Sequence, residues 1–359
     1  MYTALNNMLS NICATIELIF EYINCSQPFF IYIFIFCFTI CLLIFSSIKC
    51  KKLQEKLEQL SLSKESLIFN EQDARHSRRL LSNLEQLIFV GGVPRSGTTL
   101  MRAILDAHPD VRCGGETMLL PSFLTWQAGW RNDWVNNSGI TQEVFDDAVS
   151  AFITEIVAKH SELAPRLCNK DPYTALWLPT IRRLYPNAKF ILMIRDARAV
   201  VHSMIERKVP VAGYNTSDEI SMFVQWNQEL RKMTFQCNNA PGQCIKVYYE
   251  RLIQKPAEEI LRITNFLDLP FSQQMLRHQD LIGDEVDLND QEFSASQVKN
   301  SINTKALTSW FDCFSEETLR KLDDVAPFLG ILGYDTSISK PDYSTFADDD
   351  FYQFKNFYS

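Results

Sequence analysis

The chain has 359 residues, 46% hydrophobic and 22% charged, enough for one large packed domain or two small ones beside any anchor. Its 35 Lys and Arg against 43 Asp and Glu give a formal net charge of −8. That balance excludes a general affinity for nucleic acid while leaving room for a local basic cleft.

Residues 1–27 form a short segment without Lys or Arg, and the block at 28–48, "PFFIYIFIFCFTICLLIFSSI", is uncharged. Its length is near the ~20 residues a helix needs to cross a bilayer. It begins too late for a cleaved signal peptide and stops at Lys49, Lys51 and Lys52, so it reads as a transmembrane signal-anchor. Two signals disagree on its orientation. Lysines 49, 51, 52 and 56 follow the span, and the positive-inside rule would keep the rest of the chain in the cytosol. Cys237 and Cys244, however, bracket "NNAPGQ", a turn that suits a small disulfide loop, and sequons at Asn136 and Asn215 are usable only in the secretory lumen.

Residues 49–86 are polar and helix-favouring, with Leu53, Leu57, Leu60 and Leu67 at heptad-like spacing, and read as a stem. From 87 to about 340 strands alternate with helices. "QLIFVGGV" is a strand entering a glycine turn, and "TTLMRAILDAH" has helical periodicity. "TQEVFDDAVSAFITEIVAKH" reads as an amphipathic helix with Val144, Ala148, Phe152 and Ile156 on the buried face. "AKFILMIRD" is a strand buried on both sides, and Thr216 with Glu219 opens another helix in capping-box spacing. "CIKVYYERL" is a strand and "PAEEILRITNFLDL" a helix. This alternation predicts an α/β fold with a central parallel sheet flanked by helices. The segment 341–359 reads as a flexible acidic tail, in which Tyr352 follows three aspartates.

The stretch "IFVGGVPRSGTTL" carries the chemistry. Strand, glycine turn and helix start gather backbone N–H groups of Ser96, Gly97, Thr98 and Thr99 around one anion. Gly92 and Gly97 have the spacing of a triphosphate loop, but Thr98 stands where that loop carries lysine. Without the lysine a triphosphate is poorly served. A phosphate bearing one sulfonate needs less charge, which Arg95 supplies from within the loop, and no metal clamp.

"GGVPRSGTTLMRAILDAHPDVRCGGET", together with "LCNKDPY", "KFILMIRDARAVVHSMIERKV", "VYYERL" and "DLIG", resembles the Golgi tyrosylprotein sulfotransferases from about Leu87 to Asp335. The resemblance implies a P-loop-like sulfotransferase fold behind an N-terminal membrane anchor. It implies transfer of a sulfonate from 3′-phosphoadenosine 5′-phosphosulfate to tyrosines of secretory proteins, without a structural metal. It also implies a homodimer and a single-pass type II protein of the Golgi membrane, with the catalytic domain in the lumen. In that family Glu116 matches the catalytic base, which a phenol of pKa roughly 10 requires. Lys170 matches the lysine bridging donor and acceptor oxygens, Arg95 the sulfonate-neutralising arginine, and Ser294 an added hydroxyl donor. Arg195, Ser203 and Arg207 match the grip on the 3′-phosphate, and Tyr249 a residue at the nucleotide. Adjacent Tyr248 faces the other way and belongs to the core. Cys113 with Cys168, and Cys237 with Cys244, match the family's two disulfides.

The match fails at the substrate readers. The family carries arginines two and six residues after the glutamate, where this chain has Met118 and Ser122, and Ser309 replaces a lysine before Trp310. Arg102, Arg112 or Arg131 are the candidates to compensate. An active enzyme with altered peptide specificity is therefore weighed against a catalytically weak luminal partner of an active subunit. A carbohydrate sulfotransferase is disfavoured by the loop wording.

Overall fold

A computed structural model describes Lys51 and residues 86–352, except 130–136, 161, 163, 284–285, 287–293, 295–297 and 303. The expected anchor, nearly all of the stem, the sequon at Asn136, and Arg131 lie outside the described residues. Among the described residues no helix is long and apolar enough to cross a membrane.

Strand β1 (Ile88–Gly92) is followed by α1 (Thr98–Asp106), the short β2 (Val111–Arg112), α2 (Leu119–Ala128) and α3 (Gln142–Lys159). Next come β3 (Arg166–Lys170), a 3-10 turn over Pro172–Trp177, α4 (Leu178–Leu184), β4 (Lys189–Ile194) and α5 (Ala197–Glu206). Helix α6 (Glu219–Asn238), β5 (Cys244–Tyr248), α7 (Tyr249–Gln254) and α8 (Pro256–Phe266) complete the sheet layer. The strands run parallel in the order β2-β3-β1-β4-β5.

Strand side chains alternate between faces, so one apolar run feeds two cores. Ile88, Val90, Ile191 and Met193 share a core with Met101 and Ile104 of α1 and Ile260 and Ile263 of α8. Phe89, Phe190, Leu192 and Ile194 belong to the other core, with Val149 and Ile153 of α3 and Phe223 and Trp226 of α6. The chain places β2 and β3 on one side of β1 and then crosses to β4 and β5 on the other. In such sheets the crevice outside the strand C-termini, at that switch point, is where ligands bind. Arg95, Lys170 and Arg195 all follow or end strands at this edge.

Several expectations need correction. Helix α3 buries Val149, Ile153 and Val157 rather than the row one position earlier, and Val144 is 57% exposed. Both rows are apolar at i, i+4 spacing, so periodicity did not separate them. Helix α6 is capped by Asp218, whose side chain accepts from Ser221 N–H, not by Thr216. The strand expected over "CIKVYYERL" stops at Tyr248, because Tyr249 already opens α7. Strands β2 and β3 were not foreseen.

The expected flexible tail is packed as far as Tyr352. Tyr343, Phe346 and Phe351 are buried around Tyr248, and Arg251 donates to the carbonyls of Phe346 and Asp348. Tyr343 donates its hydroxyl to Asp196 at 2.8 Å, and Trp310 Nε1 donates to Tyr343 at 3.0 Å. The acidic residues hid an aromatic set that pays for ordering the segment. Tyr352 donates to Glu259 at 2.7 Å and lies under the Arg262 guanidinium, so its hydroxyl is engaged rather than offered for modification.

Candidate active site

The loop between β1 and α1 is shaped by close approach. A Cβ on Gly92 would sit 2.6 Å from the Met193 carbonyl oxygen, and one on Gly97 (φ 101°) would meet the Tyr249 ring at 2.5 Å. Arg95 itself has φ 76°, a left-handed conformation that costs a non-glycine residue about 1–3 kcal/mol and tends to occur at functional sites. This geometry turns the Arg95 side chain across the sheet edge. Its Nε donates to Ser203 Oγ at 3.0 Å and its Nη1 to Ser294 Oγ at 2.5 Å. Arg195 Nη1 in turn donates to the Arg95 carbonyl at 3.0 Å, with its guanidinium 4.3 Å from the centre of the Tyr249 ring.

Burial, then the neighbouring guanidiniums of Arg207 and Arg195, pull the Arg95 pKa down to about 10, so it remains a cation at neutral pH. Arg195 Nε and Arg207 Nε are buried with no hydrogen-bond partner. Three crowded guanidiniums with idle buried donors fit a multiply charged anion, which would relieve the repulsion and satisfy the donors. The cavity they line measures about 380 Å3, and Ser203, Tyr249 and the N-terminus of α1 border it. Ser203 and Arg207, four residues apart, share the same face of α5 and its C-terminal end. A ligand bearing several phosphate or sulfate groups fits this donor set. Ser96 does not line the cavity: its N–H donates to the Val93 carbonyl at 3.1 Å and its buried side chain lies beside Gly92.

Lys170 ends β3 with its side chain fully buried. Its ammonium pairs with the Glu116 carboxylate and lies 3.5 Å from Thr99 Oγ1. Glu116 opens into a second cavity of about 320 Å3, walled by Met118, Pro172, Tyr173, Val209 and Val211. The two cavities share Arg95, Thr98, Thr99 and Ser294 as a common wall. Expected donor-binding and catalytic residues thus meet at one place, which is the geometry that group transfer between two ligands requires.

The segment carrying Glu116 is held from four directions. Cys113 and Cys168 form a disulfide to the strand carrying Lys170. Asp106 accepts from Cys113 N–H at 2.6 Å, and Arg102 donates to the Gly114 carbonyl at 3.0 Å. Asp171 accepts from the N–H groups of Thr117 and Met118 at 3.0 and 2.8 Å, and Met118 takes φ 56° there. Burial pushes the Asp171 carboxyl above the usual range, against the hydrogen bonds from Met118, Asn169 and Thr117 that pull it down. Arg102 and Arg112, considered as readers of acidic substrate, are therefore occupied elsewhere: Arg102 is fully buried, and Arg112 binds the carbonyls of Asp106, His108 and Val111.

Residues 87–273 match the model of the sulfotransferase family. A Caenorhabditis briggsae chain provisionally named a protein-tyrosine sulfotransferase is 91% identical over 280 residues, 78% of this chain and 100% of that one. Protein-tyrosine sulfotransferase A of Caenorhabditis elegans is 43% identical, over 78% of this chain and 75% of that one. This chain belongs to the protein-tyrosine sulfotransferase family. Human protein-tyrosine sulfotransferase 1 is likewise 43% identical, over 72% of each chain. Among solved structures, the sulfotransferase domain from the curacin biosynthetic pathway aligns at 20% identity and a TM-score of 0.47, over 70% of this chain and 98% of that one.

Sequence reasoning missed Asp171 in this family member, although it follows Lys170 directly, because a buried acceptor of backbone N–H groups has no motif. It also missed Glu229. That buried carboxylate accepts from Tyr214 at 2.9 Å and Gln225 at 2.8 Å, while Tyr173, a wall of the second cavity, donates to the Ala212 carbonyl at 3.3 Å. Burial pushes the Glu229 carboxyl up. Among the described residues no group of three or more His, Cys, Asp or Glu side chains is arranged to hold a metal ion.

Because Asp171 fixes the segment bearing the carboxylate and lines neither cavity, Asp171→Ala is expected to lower the transfer rate about 100-fold. The dissociation constant for adenosine 3′,5′-bisphosphate should stay unchanged. Isothermal titration beside a single-turnover assay separates the two effects, and an unchanged rate would contradict the assigned role.

Proposed function

We propose that this protein transfers a sulfonate from 3′-phosphoadenosine 5′-phosphosulfate to the hydroxyl of tyrosines in other proteins. The observation that carries this reading is the common wall of the two cavities: Arg95 lies in it, Glu116 with its partner Lys170 stands on one side, and Arg195 and Arg207 stand on the other. The donor supplies the sulfonyl sulfur and a phosphate leaving group. Glu116 accepts the phenol proton as the phenol oxygen bonds to sulfur and the bond from sulfur to the phosphate oxygen breaks. Lys170, a compact point charge beside both Thr99 and Glu116, follows the negative charge toward the departing oxygen. Arg95 and Ser294 neutralise the moving group, while Arg195, Ser203 and Arg207 hold the nucleotide phosphate. Tyr249 forms part of the nucleotide wall beside Arg195.

The Glu116–Lys170 pair stands beside the wall that both cavities share, where transfer needs a proton acceptor and a cation, and this favours the enzyme reading over a catalytically weak binding partner. The Cys113–Cys168 and Cys237–Cys244 disulfides and the exposed sequon asparagine at 215 support an oxidising, luminal compartment. On this reading the protein is a glycosylated, homodimeric type II protein of the Golgi membrane, anchored through 28–48. Secretory and membrane proteins are its substrates.

With labelled donor and a tyrosine peptide, Glu116→Gln keeps a hydrogen-bond acceptor for buried Lys170 while removing the base. Transfer is expected to fall by about 10²- to 10⁴-fold with nucleotide binding intact; full activity would refute the assignment of the base. For topology, the domain is expected to resist protease in sealed microsomes and to be cut once detergent opens them. Digestion in intact vesicles would place it in the cytosol.

A further inference from the structure

The acceptor cavity opens onto a helix with unusual chemistry. From Met118 to Gly129, "MLLPSFLTWQAG", there is no charged residue, yet much of the segment faces solvent. Met118 is 41% exposed, Leu119 39% and Trp126 54%, and Ser122 is also exposed. Ser122 and Trp126, four residues apart, share a face of α2. Ser122 Oγ donates at 2.6 Å to the carbonyl of Met118, the residue that caps its start, so the three make one stripe, with Trp126 leaning on Phe123 at 5.8 Å between ring centres. An uncharged, partly aromatic helix face in water marks a contact surface.

Continuity says what covers it. Met118 is both a wall of the acceptor cavity and the first residue of the stripe, and Asp171 pins its backbone. Pro172, Val209, Pro210 and Val211 add apolar surface to that wall, beside the hydroxyls of Thr117 and Tyr173. The charged residues lining this cavity, among the described residues, are Arg95 and Glu116, and both are engaged: Arg95 with Ser203 and Ser294, Glu116 with Lys170. An acidic side chain entering beside the target tyrosine would lose water next to Glu116, and among the described residues lining this cavity no cation is left unengaged to receive it. An apolar side chain would lose nothing and cover the stripe.

We propose that the acceptor, on the reading given above, is a polypeptide whose target tyrosine is flanked by apolar rather than acidic residues, and that these lie along the Met118–Trp126 face. Eight helical steps span about 12 Å. That matches about three to four residues of extended peptide at ~3.4 Å each. The two positions where the family resemblance expects arginines, Met118 and Ser122, are thereby specificity-determining residues with inverted preference.

The test uses the purified protein, labelled donor and two peptides that differ only in the residues flanking one tyrosine, leucines in one and aspartates in the other. The leucine peptide is expected to have the higher kcat/KM by about tenfold or more, the scale of discrimination that apolar contacts give. In the double variant Met118→Arg, Ser122→Arg the ratio should swing toward the aspartate peptide by a similar factor. Preference of the unaltered protein for the aspartate peptide, or an unchanged ratio in the double variant, overturns this proposal and leaves tyrosine sulfation standing. Transfer to neither peptide, with adenosine bisphosphate still bound, defeats the parent reading and this one together. Dissociation of a dimer by Trp126→Arg with peptide preference intact would make a second copy the occupant of the face, and would overturn the proposal as well.

Discussion

A fully buried ammonium at the end of β3 is the constraint around which the site is built. Leaving such a charge unpaired would cost several kcal/mol, so the fold must bring Lys170 a carboxylate or lose much of its margin of stability. Glu116 comes from a segment with no regular secondary structure of its own, and that segment is tied down by a disulfide, by Asp106, by Arg102 and by Asp171. The same pairing that satisfies folding leaves a proton acceptor and a positive charge side by side. Stability and chemistry draw here on one interaction.

The pairing also accounts for the lysine missing from the phosphate loop. Val90 of β1 is in register with Lys170 of β3, so a lysine from the neighbouring strand reaches Thr99 at the start of α1. The loop itself is then free to carry Arg95, whose left-handed backbone aims a planar donor at both Ser203 and Ser294. A triphosphate loop concentrates its charge on terminal phosphates. Here the cations come from four places: the loop after β1 (Arg95), the end of β3 (Lys170), the turn after β4 (Arg195) and the end of α5 (Arg207). They gather about two cavities that share a wall, which suits transfer of a small group across it.

Much of this was legible in the sequence where a local pattern coincides with a physical need. The glycine turn, the arginine after β4 and the order of strand, loop and helix are all fixed by short-range geometry, so they could be read directly. The buried row of α3 could not, since Val144, Ala148 and Phe152 are as periodic as Val149, Ile153 and Val157, and only packing against the sheet chooses between them. The order of the C-terminal segment was hidden for a similar reason. Its aspartates dominate the composition, while Tyr343, Phe346 and Phe351 find their partners on Tyr248 and Asp196, far away in the chain. Asp171 and Glu229 escaped notice because their importance lies in backbone donors and tyrosine hydroxyls that only the fold brings near them.

The most direct measurement is a crystal structure of the protein with adenosine 3′,5′-bisphosphate and a tyrosine peptide together. The account predicts the nucleotide phosphates among Arg95, Arg195 and Arg207, and the phenol oxygen within about 3 Å of both the Glu116 carboxylate and the Lys170 ammonium. A phenol seated away from that pair, or a nucleotide bound outside the arginine-lined cavity, would contradict it.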